Sequence, residues 1–174
     1  MRFEFWSIVA IVAVVAPAVE ASTVVAVDIA GLTRTSDSVL RGKIRSTEAR
    51  WTKDGARIIT DTTIDVSEVW KGPSKTVVVA MQPGGEIGEI GQRVEGVATF
   101  VPGEEVVVFL EARGEKFTVA GLSLGKFRLV RSNDNKVIVA KRDASADAML
   151  VDPTTGERKM SKEVVLTVEQ LKTQ

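Results

Sequence analysis

The chain has 174 residues, with 23 Lys and Arg against 23 Asp and Glu, no His and no Cys. Without His there is no Ser-His-Asp triad, no Cys-His dyad and no imidazole zinc site, and without Cys there is no disulfide framework. The balanced charge gives no electrostatic footprint for nucleic acid or for an anionic membrane surface.

Residues 1–21 read as a secretory signal peptide. Arg2 supplies a basic start, offset by Glu4, and Phe5 to Ala16 is apolar apart from Ser7. Pro17 then ends the run, and Val19-Glu20-Ala21 presents small residues at the two positions a signal peptidase reads. A membrane-spanning helix needs roughly 20 apolar residues, well beyond this run. Cleavage after Ala21 leaves no membrane span, the alternative being a retained N-terminal anchor, and the expected location is secreted or periplasmic. No Cys follows the apolar run, so a lipoprotein anchor is not available. Residues 22–174 have the length of one domain, with enough chain to bury a core unaided. Losing Arg2, Glu4 and Glu20 leaves 22 basic and 21 acidic residues.

Asp28 to Thr35 reads as a short helix capped by Asp28. From Ser38 the period changes, and Val39 to Ser46 reads as a first strand. A polar connection through Lys53-Asp54-Gly55 leads to a long second strand, Ile58 to Trp70. There Thr62, Ile64, Val66 and Glu68 share one face, and Thr63, Asp65, Ser67 and Val69 the other. The adjacent Val69 and Trp70 signal a bulge or the strand's end. Further strands are expected at Thr76–Met81, Gln92–Phe100, Glu105–Leu110, Phe117–Ala120, Lys126–Val130, Val137–Ala140 and Met149–Val151. Of these, Glu105–Leu110 looks like a buried central strand. Gly, Pro and Asn turns separate them, and Thr167 with Gln170 forms a capping box for a closing helix. This spacing predicts a mainly β fold, a single small barrel or barrel-like sandwich over about residues 38–140, with short helices near each terminus.

Pro83-Gly84-Gly85-Glu86-Ile87-Gly88-Glu89-Ile90-Gly91 is the most distinctive stretch. Its spacing is neither a P-loop nor G-x-G-x-x-G, and Glu86 and Glu89 would repel an anion, so it reads as a glycine-permitted excursion between strands. Its Ile87 and Ile90 make it a candidate contact loop at the rim. Trp51 stands in a polar stretch and is the better candidate for an exposed platform, for sugar or peptide, whereas Trp70 is explained by packing. No Ser-x-x-Lys occurs in a helical context. Glu104 and Glu105 point to opposite faces of a strand, and Lys141-Arg142 and Arg158-Lys159 read as solvated surface. No catalytic, cofactor-binding or metal-binding constellation emerges.

The order of motifs resembles uncharacterised exported bacterial β-domain proteins. The resemblance rests on Leu32 to Ile44, Val69-Trp70-Lys71-Gly72, Pro83-Gly84-Gly85, Pro102 to Leu110 and Gly125-Lys126-Phe127, within Leu32 to Val139. It implies export and a β fold. Val39–Ile44, Trp70–Pro73 and Gly103–Leu110 are also similar to segments of the netrin-like modules, including the tissue inhibitors of metalloproteinases. That resemblance implies an OB-type barrel. Those inhibitors chelate the protease zinc through an N-terminal Cys, and this chain departs from them in having Ser22 at its expected N-terminus and no Cys.

The leading expectation is a non-enzymatic exported binding domain for a protein or extracellular ligand, without a cofactor. Its candidate surface is the rim loops Ala49–Ala56 and Pro83–Gly91, with Trp51, Glu86, Ile87, Glu89 and Ile90 as contact residues. One alternative is an inhibitor or accessory factor of an extracellular protease, which needs the N-terminus beside those loops. Another is a hydrolase using two carboxylates roughly 5–9 Å apart.

Overall fold

The computed structural model describes residues 23–25, 27–132, 137–142, 149–151, 155–160 and 164–174. The signal-peptide reading, Ser22 and the Asn133–Asn135 turn lie outside them. In chain order the elements are β1 (Thr23–Val25), α1 (Ile29–Thr35), β2 (Ser38–Trp51), β3 (Ile58–Lys71), β4 (Val77–Pro83), β5 (Gly85–Ile87), β6 (Ile90–Gln92) and β7 (Glu105–Arg113). They continue with β8 (Lys116–Val119), β9 (Lys126–Arg131), β10 (Ile138–Arg142), β11 (Met149–Val151), β12 (Arg158–Met160), β13 (Val164–Thr167) and α2 (Val168–Lys172).

The apolar run of β7 organises the rest. Val106 to Leu110 is buried throughout, and alternate side chains of a strand point to opposite faces. Val107 and Phe109 therefore enter one core, with Leu32 of α1, Phe127 and Leu129 of β9, Ala140 of β10 and Leu171 of α2. Val106, Val108 and Leu110 enter a second core, with Leu40, Ile44, Ile64, Val78, Phe117 and Val119. Each fully buried side chain of this size contributes about 2 kcal/mol relative to exposure. Burial on both sides is what a continuous apolar run, rather than an alternating one, demands.

Along one edge β7 pairs with β2, from Lys43↔Glu105 to Ser38↔Leu110. Its other edge is divided. Val106–Val108 pair with β9, and Leu110–Arg113 pair with β8. The result is an eight-stranded mixed sheet of order β13-β10-β9-β7-β2-β3-β4-β8. This corrects the expected barrel: the sheet is large and mixed, not a closed barrel. At β7 it branches into β9, β10 and β13, and β8 meets β4 through a single parallel pair, Ala80↔Phe117. Two smaller sheets are also present, β1-β11-β12 and β5-β6.

β2 and β3 form a long hairpin with three bulges. Val39 opposes Lys71 while Leu40 opposes Val69, leaving Trp70 as an extra residue, in line with the irregularity expected there. Ser67 and Arg45 are the extra residues at the other two. Bulges bend and twist a hairpin, and here they curl it around the second core. Both helices form where their caps are written in the sequence. The Asp28 side chain accepts a hydrogen bond from the Gly31 N–H at 2.7 Å. The Thr167–Gln170 capping box is complete, at 3.1 and 2.9 Å. No helix among the described residues is long and apolar enough to cross a membrane.

Three further expectations fail. Val69 does not lie on the face opposite Ile64 and Val66, because the extra residue Ser67 shifts the phase of β3 and all three join the second core. Residues 93–100 form no strand, because their carbonyls are taken elsewhere: Gly96 O accepts from the Ser123 N–H at 2.9 Å and Thr99 O from Lys126 Nζ at 2.6 Å. Arg142 is not solvated surface. It is buried with its guanidinium 5.1 Å from the Phe127 ring centroid, a cation–π contact that keeps it in the wall of the first core.

On the outer face, Asp61 of β3 accepts from Arg50 Nε at 2.8 Å and from Lys116 Nζ. Burial pushes its carboxyl up, but the hydrogen bonds from Arg50 and Lys116 outweigh burial and hold it below the usual carboxylate range. A depressed pKa gives stability that is present above the unfolded-state value, about 3.9, and is lost as pH falls through the lower folded value. Replacing Asp61 with Asn should cost about 2 kcal/mol at neutral pH, the scale of lost charged hydrogen bonds. In urea denaturation across pH, the gap between the wild type and the variant should close only below about pH 4.

Candidate functional site

β7 covers β2 only as far as Lys43, whereas β2 runs on to Trp51. Beyond the bulge at Arg45 the overhanging rungs are Thr47↔Thr62, Ala49↔Thr60 and Trp51↔Ile58. Across β3 and β4 the rungs are Ile64↔Val78, Thr62↔Ala80 and Thr60↔Gln82. Directly opposed residues share a face. The face that carries the Ile44, Ile64 and Val78 core therefore continues as a polar band of Thr47, Thr62, Thr60 and Gln82. Trp51 and Ile58 follow it at the end.

A second wall faces this band. At Gly84 the chain leaves β4 and folds over the hairpin tip, with the Gly84 N–H donating to Ile58 O at 2.8 Å and Thr60 Oγ1 donating to Gly84 O at 2.7 Å. Gln92 Oε1 accepts from the Ile58 N–H at 2.7 Å and closes the loop from the far side. Gly85 has φ +136°, and a Cβ there would overlap Thr60 Oγ1, so only glycine lets the β5–β6 hairpin sit this close. Residues 93–104 then descend along the cleft, with Ala98 and Phe100 packed on the second core. Their base is pinned by Lys126, whose Nζ is 2.9 Å from Glu104 Oε2 and 5.0 Å from the Phe100 ring centroid. Side-chain exposures of 5% for Lys126 and 9% for Glu104 make this a buried ion pair. Between the walls lies a cleft of about 820 Å³.

The polar band carries two hydrogen-bonding deficits. Thr62 is 1% exposed and Gln82 5%, and neither Thr62 Oγ1 nor Gln82 Nε2 has a hydrogen-bond partner among the described residues. Both residues line the cleft, and the two atoms themselves expose less than 1 Å² each. A buried polar group left unpaired costs about 1–3 kcal/mol, so two in one wall are unusual. The cleft's charges are arranged differently: Arg93 pairs with Glu95 at 2.8 Å and Lys126 with Glu104. The inner wall is thus neutral, built of hydroxyls and an amide that both donate and accept.

The residues expected at the rim are only partly drawn together. Trp51 is 40% exposed at the end of β2, and Ile90 is 56% exposed. Glu86 and Glu89 are exposed, while Ile87 is half-buried. Of these five only Glu86 lines the cleft. Pro83–Gly91 is an ordered two-stranded hairpin in which Glu86 opposes Gly91 and Ile87 opposes Ile90, rather than an open excursion. Ala49–Ala56 is strand as far as Trp51, then a tight turn in which the Thr52 N–H donates to Arg57 O at 2.8 Å. Thr47, Thr60, Thr62 and Gln82 are the residues that sequence reasoning missed. The available signal was their phase: Thr60 and Thr62 alternate in step with Ile58 and Ile64 on the buried face. Of the carboxylates lining the cleft, Glu86 and Glu95, the second is held by Arg93. Ser22, on which the inhibitor alternative turns, lies outside the described residues.

No protein-family model, curated protein or solved structure matches this chain.

Because the Thr62 hydroxyl is buried without a partner among the described residues, replacing it with a methyl of the same shape should relieve a buried penalty. Thr62→Val should raise the free energy of unfolding by about 1 kcal/mol in urea. A loss of similar size would mean that the hydroxyl is satisfied in the folded protein.

Proposed function

We propose that the chain is an exported, non-enzymatic binding domain, secreted or periplasmic once residues 1–21 are removed, and that the cleft is where it binds. The observation that carries this reading is the pair of unpartnered, buried polar groups, Thr62 Oγ1 and Gln82 Nε2, in the wall of a cleft of about 820 Å³. Ligand pockets commonly enclose about 300–1,000 Å³ and place a few polar groups among apolar ones. Here Phe100, Val97 and Ala98 supply the apolar side. The exposed Trp51 and Ile90 extend the contact surface beyond the mouth. The signal-like N-terminal segment supports export.

The netrin-like resemblance draws support from the curl of β2, β3 and β4 toward β8, which pairs back to β7. An OB-type module is a five-stranded, partly open barrel. On this reading β9, β10 and β13 are an added wing.

Binding to the folded state raises the melting temperature by mass action. Thermal-shift panels of neutral saccharides, neutral and charged peptides, nucleotides and organic acids should yield at least one class that stabilises the protein saturably. Val94 lines the cleft at a partly exposed position, so Val94→Trp should narrow the cleft and weaken that response. A panel without any response, or a response that Val94→Trp leaves intact, would contradict the reading.

A further inference from the structure

We infer that the cleft is a site for a neutral saccharide, whose hydroxyls complete the hydrogen bonds that Thr62 Oγ1 and Gln82 Nε2 lack. The inference rests on the binding-domain reading and names its ligand class.

Hydrogen-bond chemistry is the first argument. Gln82 Nε2 can only donate and so needs an acceptor, whereas the Thr62 hydroxyl takes either role. Thr60 and Gln82 are directly opposed, which makes Thr62 and Gln82 diagonal neighbours, roughly 7–8 Å apart at the backbone. On binding, each side chain rotates to bring its buried atom to the cleft surface, where both fall within the span of one sugar ring. Thr47, opposite Thr62 on β2, adds a further hydroxyl to the same band. Closely spaced groups that each donate and accept match the closely spaced hydroxyls of a sugar.

Backbone availability argues against an extended peptide. Peptide recognition at a sheet uses free main-chain donors and acceptors at an edge. The β3 backbone pairs with β2 on one side and with β4 on the other. What β3 offers the cleft is side chains alone.

Charge selects within the saccharides. Arg93 and Lys126 of the lining are paired with Glu95 and Glu104. Glu86 stands exposed and lines the cleft, and would repel an acidic sugar or a phosphate. Opposite the polar band, Phe100, Val97 and Ala98 give the C–H face of a sugar an apolar surface. Trp51 lies on the same sheet face as the polar band, one rung beyond Ala49↔Thr60. Its 40% exposure makes it a platform for a second ring projecting from the mouth.

The test is calorimetric titration of the purified protein with maltose, cellobiose and diacetylchitobiose, beside glucuronic acid and trialanine amide. At least one neutral disaccharide should bind saturably, and more tightly than glucuronic acid. Thr62→Val and Gln82→Met should each weaken it about tenfold. Each variant should melt no lower than the wild type, which separates loss of ligand contacts from loss of fold. Trp51→Ala should weaken a disaccharide while leaving glucose unchanged. Saccharide binding that neither Thr62→Val nor Gln82→Met alters would overturn the site. If the peptide or the acid binds in a Thr62- and Gln82-dependent way and the neutral sugars do not, the ligand class falls and the binding reading stands. If none of these probes binds, the saccharide inference fails, and the wider panel decides the binding reading separately.

Discussion

The constraint on which this molecule depends is a strand that must be dry on both sides. Val106–Leu110 of β7 presents apolar side chains to both faces, so one layer of protein cannot satisfy it. α1, β9, β10 and α2 supply side chains to one core, and β2, β3, β4 and β8 to the other. The Phe109 and Phe127 rings, 5.9 Å apart and tilted by 54°, join β7 to β9 in the first of these. Because both β9 and β8 bond to the same edge of β7, the sheet branches there. The sheet is mixed because β8, having paired with β7, meets β4 in parallel.

The same constraint locates the cleft. β7 satisfies the inner face of β2 only up to Lys43, and the remaining rungs of the β2–β3 hairpin overhang it. An overhang with an apolar inner face would need a second apolar layer. This chain instead places Thr47, Thr60, Thr62 and Gln82 there and covers them with the 84–104 segment. Buried pairing of Lys126 with Glu104 holds that cover at its base. Removing one partner of such a pair strands a buried charge, at about 3–5 kcal/mol. The cover is therefore anchored at its base.

Much of this was legible in the sequence wherever one local rule decided the outcome. Asp28 and the Thr167–Gln170 box determine where the helices begin. The unbroken apolar run of β7 gives its burial directly, and the alternation of β3 does so as far as Val66, beyond which the extra residue Ser67 brings Val69 to the face of Ile64. Residues 93–100 were not legible, because their valines and Phe100 read like a strand while Ser123 and Lys126, far along the chain, take the carbonyls a ladder would use. Arg142 looked like surface because nothing local announces the Phe127 ring beneath it. The polar wall was hidden for a different reason. The extra residue at Arg45 shifts the phase of β2, so that Thr47, Ala49 and Trp51 join the inner face instead of Ser46, Glu48 and Arg50. Threonine is also a common strand residue, and its presence on a strand does not signal a site until the rung opposite is known.

The central claim is that the polar wall lines an open cleft and holds buried groups with hydrogen bonds left to give. A high-resolution crystal structure of the protein, grown without saccharide and then soaked with one, tests it most directly. The account predicts an open cleft in the unsoaked crystal, with Thr62 Oγ1 and Gln82 Nε2 lacking partners, and sugar hydroxyls within hydrogen-bond distance of both in the soaked one. A cleft filled by Phe100 and its neighbours, with those two groups bonded to the protein itself, would contradict it.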